Sequence, residues 1–404
     1  MSGTRHPRFQ GVLEEARVTQ IELFFDLVFV FAITQVTALM GDDPTVRGLI
    51  RGMLVLSVLW WCWVGFAWLG NVVRADEGVG RVAMFGAMAA MFVAALSVPE
   101  AFDDIPGGLD GPVVIALAYL VVRVLHLTIF WLAAGANDDP GLRGQLLRFA
   151  PSVVGGTALL LVASQLDGTP QTLAWAAALI ADYLGTILAG ASGWRLNSAG
   201  HFAERHGLVV IIALGESIVA IGVGVAHLPV SIAIIVASVL GLTLAGTIWW
   251  AYFDVVALIA ERTLRRAEGE ERTRLARDAY SYLHLPMIAG IVLMALGLEE
   301  VLAFVAGKSG HALGDALPTL KAAAMYGGVG LFLLAHVVFT YRTDHLVKIL
   351  RVGTAALLLA LMPVGSRLGA LSSLGLLTAI MVALIAAESL RFAEARERIR
   401  HADE

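Results

Sequence analysis

The run QIELFFDLVFVFAITQVTALMG, residues 20–41, decides the class of this protein. At a rise of about 1.5 Å per residue, a helix of this length crosses a bilayer core of about 30 Å. Its only charged residues, Glu22 and Asp26, are spaced i,i+4 and therefore share one helix face. Charge is costly inside a membrane, so we expect this face to contact a polar partner instead of lipid.

Runs of this kind recur along the whole chain. A content of 58% hydrophobic and 15% charged residues leaves too little polar surface for a soluble globule of 404 residues. We predict an all-α integral membrane protein with about twelve transmembrane helices. The fifth and eleventh runs are short, so ten or eleven spans remain an alternative. The predicted spans are 20–41, 48–69, 80–98, 112–134, 148–165, 172–191, 206–226, 230–254, 283–305, 320–340, 348–364 and 368–388.

The distribution of charge predicts orientation and excludes one class of partner. The net charge is −5 and the basic residues are dispersed, which does not fit binding to a nucleic-acid backbone. Most of the 28 lysine and arginine residues fall in segments that are cytoplasmic if the N-terminus is inside. We therefore predict that both termini are cytoplasmic. The mixed-charge loop at 261–278 is interpreted as a solvated cytoplasmic helix, with contact to anionic lipid as the alternative.

The two halves of the sequence resemble each other, which predicts two parallel six-helix repeats. The expected division is a cytoplasmic segment at 1–19, a first repeat at 20–191, a second repeat at 192–388 with a cytoplasmic loop at 255–282, and a cytoplasmic tail at 389–404. The segment LWWCWVGFAW (59–68) matches IWWAYFDVVAL (248–258), and AALIADYL (177–184) matches VALIAAESL (382–390). These matches pair Trp60 and Trp61 with Trp249 and Trp250, Asp182 with Glu388, and His126 with His336.

A few polar residues inside the predicted spans are candidates for a substrate or ion pathway. Asp26 and Glu216 are the predicted titratable acids, and Arg123 is the predicted counter-charge or anion ligand. We expect at least one of these acids to lie within reach of Arg123 or a histidine around a common polar cavity. A buried ion pair that fixes helix register is the alternative. The candidates are Glu22, Asp26, Arg123, His126, Glu204, His206 and Glu216.

The sequence shows no motif for chemistry on covalent bonds. HFAERH (201–206) matches neither of the zinc-protease patterns, and it is interpreted as a helix end. The few lysines lie in or beside loops, which does not favour a buried Schiff base. We therefore predict no cofactor and no metal site.

Two segments resemble a known family. ELFFDLVFVFAITQV (22–36) and HFAERHGLVVIIALGESIVAIG (201–222) are similar to signature segments of the bacterial low temperature requirement A family. The resemblance covers nearly the whole chain and implies a multi-pass protein of the bacterial cytoplasmic membrane. It adds Ser217 to the candidate residues. The matching positions are Glu22, Phe24, Phe25, Asp26, Thr34, Gln35, Glu204, Arg205, His206, Gly207, Gly215, Glu216 and Ser217.

The expected function follows from this architecture. We predict a transporter or channel-like permease for a small ion or polar solute, proton-coupled through Asp26 and Glu216. Glu216→Gln is expected to abolish function without disturbing the fold. An integral membrane enzyme acting on lipid or isoprenoid substrates is one alternative, and a membrane scaffold or stress sensor is another. The expected partners are membrane lipid and the small ion or solute, and an oligomer is left open.

Overall fold

The computed structural model describes residues 14–226, 228–312, 314–391 and 393–394. Parts of the predicted terminal segments, residues 1–13 and 395–404, lie outside this range. The helices are α1 (Gln20–Asp42), α2 (Val46–Val72), α3 (Gly78–Leu96), α4 (Gly111–Ala136), α5 (Pro140–Ala163), α6 (Gly168–Ala189), α7 (Ala199–Gly224), α8 (Ile232–Phe253), α9 (Val256–Arg266), α10 (Gly269–Leu275), α11 (His284–Val305), α12 (Thr319–Asp344), α13 (Ile349–Gly365) and α14 (Ala370–Arg391). A π-helix, Ala276–Tyr282, joins α10 to α11.

The helices confirm an all-α, multi-pass membrane protein. Within the described residues, extended pairing is limited to one isolated bridge between Ala316 and Gly369. Eleven described segments are long and apolar enough to cross a membrane: α1 to α7, Ile232–Arg266, Gly269–Val305, α12 and α14. The predicted eleventh span, 348–364, corresponds to α13, a shorter apolar helix of 17 residues.

The fifth helix is longer than its apolar run, and its capping explains the difference. The carboxylate of Asp139 accepts the Leu142 N–H at 3.1 Å, and Pro140 occupies the first helical position. The helix therefore begins at residue 140 instead of 148. A search for apolar runs misses this first part because it contains Arg143 and Gln145.

The chain divides into two compact units. The first unit comprises Met1–Asp43, Arg47–Arg205 and Arg265–Ala276. Within it, α1 packs on α3, and α3, α4, α5 and α6 pack in sequence against one another. Many large apolar side chains on these helices remain exposed, including Leu147, Val154 and Leu173, as expected of surface that a bilayer would cover.

The second unit comprises Pro44–Val46, His206–Leu264 and Arg277–Glu404. Here α11, α12, α13 and α14 pack in sequence, and α8 packs on α14. The backbones of α11 and α12 approach closely at Gly290 and Gly328. A Cβ built on either glycine would lie 2.5 Å from the carbonyl oxygen of the other. Small residues of this kind permit close helix packing in membranes.

The two-repeat arrangement remains a prediction, and one of its residue matches is not supported. Trp60 and Trp61 are buried in the first unit, whereas Trp249 and Trp250 are 45% and 42% exposed in the second. The shared tryptophan pair therefore reflects similar composition and not similar surroundings.

Candidate functional site

The first turn of α1 fixes the position of the first buried acid. The Oε2 atom of Glu22 accepts the backbone N–H of Thr19 at 2.9 Å and its hydroxyl at 2.8 Å. This is the reciprocal contact of a helix capping box, in which the third helical residue reaches back to the cap. Glu22 thus enters the membrane segment with one carboxylate oxygen already bound.

Two helices each present a pair of charged or polar side chains spaced i,i+4. On α1 the pair is Glu22 and Asp26, and on α7 it is His201 and Arg205, all of them buried. Arg205 lies 3.0 Å from Oε1 of Glu22 and 2.8 Å from Oδ1 of Asp26. The Nε2 atom of His201 lies 3.1 Å from Oε2 of Glu22. A single guanidinium therefore bridges two carboxylates.

Helix α2 forms the third side of this group. The indole N–H of Trp63 donates to Oδ1 of Asp26 at 2.8 Å. The guanidinium of Arg205 also lies over the Trp63 ring, 5.4 Å from its centroid. Gly70 packs against Glu22, because a Cβ built there would lie 2.4 Å from Oε1. We call Glu22, Asp26, Trp63, His201 and Arg205 the carboxylate cluster.

Asn71 determines the protonation of His201. Its Oδ1 accepts the backbone N–H groups of Asn197 at 2.7 Å and Ser198 at 3.2 Å, so its amide nitrogen must point the other way. That nitrogen donates to the Ser198 carbonyl at 2.6 Å and lies 3.4 Å from Nδ1 of His201. Nδ1 is therefore an acceptor, and the proton of the neutral ring is on Nε2, where it is donated to Glu22.

The carboxylate cluster has one negative charge too many. With a neutral His201, two ionised carboxylates face the single positive charge of Arg205. The contacts also distribute unequally, because Trp63 and Arg205 both bind Oδ1 of Asp26. Within the described residues, two buried carboxylate oxygens have no hydrogen-bond partner: Oε1 of Glu22, which lies 3.0 Å from the guanidinium of Arg205, and Oδ2 of Asp26. An uncompensated buried charge is strongly unfavourable, so Oδ2 of Asp26 is the position at which a proton would complete the cluster.

The guanidinium of Arg123 is paired with Asp182, which was not one of its predicted partners, and its role in a pathway stays a prediction. Arg123 on α4 donates to Oδ1 of Asp182 on α6 at 3.1 Å, and the other carboxylate oxygen accepts the Tyr119 hydroxyl. This pair is buried and balanced in charge. His126, one turn along α4, packs against Gly65 and the rings of Phe130 and Phe149. The arrangement fits the register-fixing ion pair that the sequence offered as the alternative.

The other predicted residues lie at different depths. Glu204 is exposed, and its Oε2 accepts the Val18 N–H at 3.3 Å in the first unit. His206, Glu216 and Ser217 are buried in the part of α7 that belongs to the second unit. Whether Asp26 and Glu216 share a cavity stays a prediction.

Sequence reasoning gave no role to three members of the carboxylate cluster. Arg205 entered only through the family resemblance, His201 was interpreted as part of a helix end, and Trp63 was not among the candidates. The usable signal was spacing: His201 and Arg205 repeat the i,i+4 interval of Glu22 and Asp26 with complementary chemistry. Two acidic residues on one helix and two basic residues at the same spacing on another indicate that the two helices contact each other.

The fold and the carboxylate cluster define a multi-pass membrane protein with buried ionisable groups at helix contacts. Comparison with known proteins gives the family: residues 17–386 match the model of the bacterial low temperature requirement A protein, LtrA, and the chain belongs to this family. It is similar to the uncharacterized protein RA0937 of Rhizobium meliloti (strain 1021), with 30% identity over 300 residues, or 72% of this chain and 71% of that protein. No solved structure matches.

Proposed function

We propose that this protein is a transporter or channel-like permease for a small ion or polar solute, and that Asp26 binds and releases the coupled proton. The observation behind the proposal is the charge of the carboxylate cluster. Two buried carboxylates share one guanidinium, the amide of Asn71 faces Nδ1 of His201 as a donor, and Oδ2 of Asp26 has no hydrogen-bond donor. A proton bound to Asp26 would supply the positive charge that balances the two carboxylates.

The contacts assign different tasks to the two acids. Glu22 receives two hydrogen bonds from Thr19 and one from His201 in addition to its ion pair with Arg205, which suits a permanently ionised group. The hydrogen-bond donors of each acid converge on one oxygen, but the other oxygen of Glu22 faces Arg205 at 3.0 Å, and Oδ2 of Asp26 can accept a proton without displacing a hydrogen bond. Proton binding to Asp26 would weaken the ion pair between Arg205 and Asp26, and the ion pair between Arg205 and Glu22 would remain.

The proposed location is the bacterial cytoplasmic membrane, with both termini and the 261–278 loop in the cytoplasm. The excess of basic residues in the segments assigned to that side supports this orientation. Glu216, Ser217 and His206 on α7 are proposed to continue the pathway in the second unit, since all three are buried polar residues in an apolar helix.

Everted membrane vesicles test the proposal with a panel of candidate solutes. Respiration acidifies the vesicle interior, and a fluorescent amine reports the pH gradient. Solutes are then added singly, first monovalent and divalent cations, then small organic acids and amines. We expect one class to dissipate the gradient in vesicles containing the wild-type protein.

Two variants of the same helix make the result specific. Asp26→Asn keeps the size of the side chain but removes the proton site, and it should abolish the solute-dependent signal. Asp42→Asn removes an exposed acid at the other end of α1 and should retain the signal. Equal signals from wild-type and Asp26→Asn vesicles, at equal protein levels in the membrane, would contradict the proposal.

A further inference from the structure

The second unit contains a separate group of buried rings that can hold or exchange protons. His206 contacts Tyr280 and His284, with ring centroids 5.3 and 5.1 Å apart, and Tyr280 stacks on His284 at 5.3 Å. Tyr252 contacts His284 and, at 6.1 Å, His336. All five rings are buried. We call them the imidazole–phenol cluster.

The π-helix before α11 fixes the tautomer of His284. In this segment the Leu283 N–H donates to the Asp278 carbonyl, five residues back, at 3.3 Å. The Ala279 carbonyl lies 3.1 Å from Nδ1 of His284. Because a carbonyl oxygen only accepts, Nδ1 must carry the proton. Single π-helical turns are frequent at functional sites, and this one determines the protonation of a buried histidine.

The other nitrogen of His284 therefore has a lone pair. The Tyr252 hydroxyl lies 2.7 Å from Nε2 and donates to it. A hydroxyl can also accept, so an imidazolium at His284 would keep its hydrogen-bond partner if the O–H of Tyr252 rotated away, and the cost of burying its charge would make it form only at low pH. The pair has two acceptable states: a neutral imidazole that accepts from the phenol, and an imidazolium that donates to it.

His336 has the opposite tautomer and no such freedom. The Nη1 atom of Arg351 lies 2.7 Å from its Nδ1 and 3.3 Å from its Nε2. A guanidinium only donates, so we assign the nearer nitrogen, Nδ1, as the acceptor and place the ring proton on Nε2. Arg351 is held in place by Glu388 at 2.7 and 2.9 Å and by the Ala251 carbonyl at 3.1 Å. A second proton on His336 would point at this guanidinium.

We propose that His284, together with Tyr252, is a proton-binding site of the second unit, distinct from the carboxylate cluster of the first. The proton comes from water, adds to Nε2 and leaves by the same route, with no other bond made or broken. His336 is excluded from this role by Arg351.

The surroundings of His284 include several other titratable or charged groups of the same unit. His206 and Tyr280 contact its ring, and the charge of Glu261 on α9 acts on Tyr280. The charge of Arg351 acts on His336 and is balanced by its pair with Glu388. The neutral and the protonated form of His284 would therefore face the same neighbouring groups.

Solid-state NMR of the full chain in liposomes, with ¹⁵N-labelled histidine, tests the proposal. His284→Gln and His336→Gln identify the two sets of resonances. We expect a protonated Nδ1 for His284, a protonated Nε2 for His336, and a doubly protonated signal for His284 alone of the two as the pH is lowered. Tyr252→Phe removes the Nε2 partner and should shift the His284 resonances while leaving those of His336 in place.

Three results would overturn the proposal: reversed tautomers, protonation of His336 before His284, or a His284 that stays neutral until the protein unfolds. The test is independent of the first unit. Asp26→Asn should leave the His284 titration unchanged, so failure of one proton site and failure of the other are separate outcomes.

Discussion

Removal of Arg205 should destabilise the protein far more than removal of an exposed arginine. The guanidinium is fully buried and lies within 3.0 Å of both Glu22 and Asp26. Arg205→Gln would leave two buried carboxylates with no positive charge between them. Loss of one partner from a buried ion pair costs about 3–5 kcal/mol. A loss of about 4 kcal/mol lowers the ratio of folded to unfolded protein by roughly a thousandfold.

The free energy of unfolding can be measured in detergent micelles by denaturant titration, with tryptophan fluorescence as the signal. Arg274→Gln is a matched control, because both partners of its ion pair with Glu270 are more than half exposed and the pair should contribute only about 0–1 kcal/mol. Adding Glu22→Gln and Asp26→Asn to Arg205→Gln should recover most of the loss, since no uncompensated charge then remains.

Lowering the pH should also reduce the difference in free energy of unfolding between Arg205→Gln and the wild type, because protonation neutralises the two carboxylates that have lost their partner. A single Arg205→Gln variant within about 1 kcal/mol of the wild type at neutral pH would refute the assigned geometry of the carboxylate cluster.

Two further predictions concern packing and orientation. Gly290→Ala should lower the free energy of unfolding by about 1–3 kcal/mol, because the new Cβ would meet the α12 backbone. Gly246→Ala is the control and should not lower it, because a Cβ at that position meets nothing within 4 Å. Equal effects of the two substitutions in the same denaturant titration would contradict the close contact of α11 and α12. Single cysteines introduced at Asp104 and at Gly269, in a background lacking the native cysteine, should be labelled by an impermeant reagent from opposite sides of the membrane, and labelling from the same side would exclude the proposed topology.

The class of fold was predictable because hydrophobic length is a local property of the sequence. Residues 20–41 alone meet the length for a span, and α1 occupies nearly the same range. The start of α5 was missed because the helix begins at its cap, Asp139, and its first turns are polar and lie outside the apolar run. The tryptophan match stays a prediction, because similar letters do not determine which face of a helix is buried: Trp61 is buried and Trp250 is 42% exposed.

The site was predictable only in part, because a sequence identifies buried charges but not their partners. Glu22 and Asp26 were recognised from the cost of charge in an apolar helix, whereas the partner of Arg123, Asp182, was not predicted. Arg205 lies 179 residues from Asp26 in the chain, and helix packing brings the two together. Asn71 and the π-helix, which set the two histidine tautomers, have no sequence signal beyond their residue types.

Infrared titration of the purified protein tests the central claim most directly, because it observes the proton on the carboxyl group without any solute. As the pH is lowered, one component of the carbonyl stretch of protonated carboxyl groups should be present in the wild type and missing from Asp26→Asn. In Glu22→Gln the same component should appear only at lower pH, because a single acid then faces the guanidinium of Arg205. Identical spectra from the wild type and Asp26→Asn throughout the titration would contradict the account.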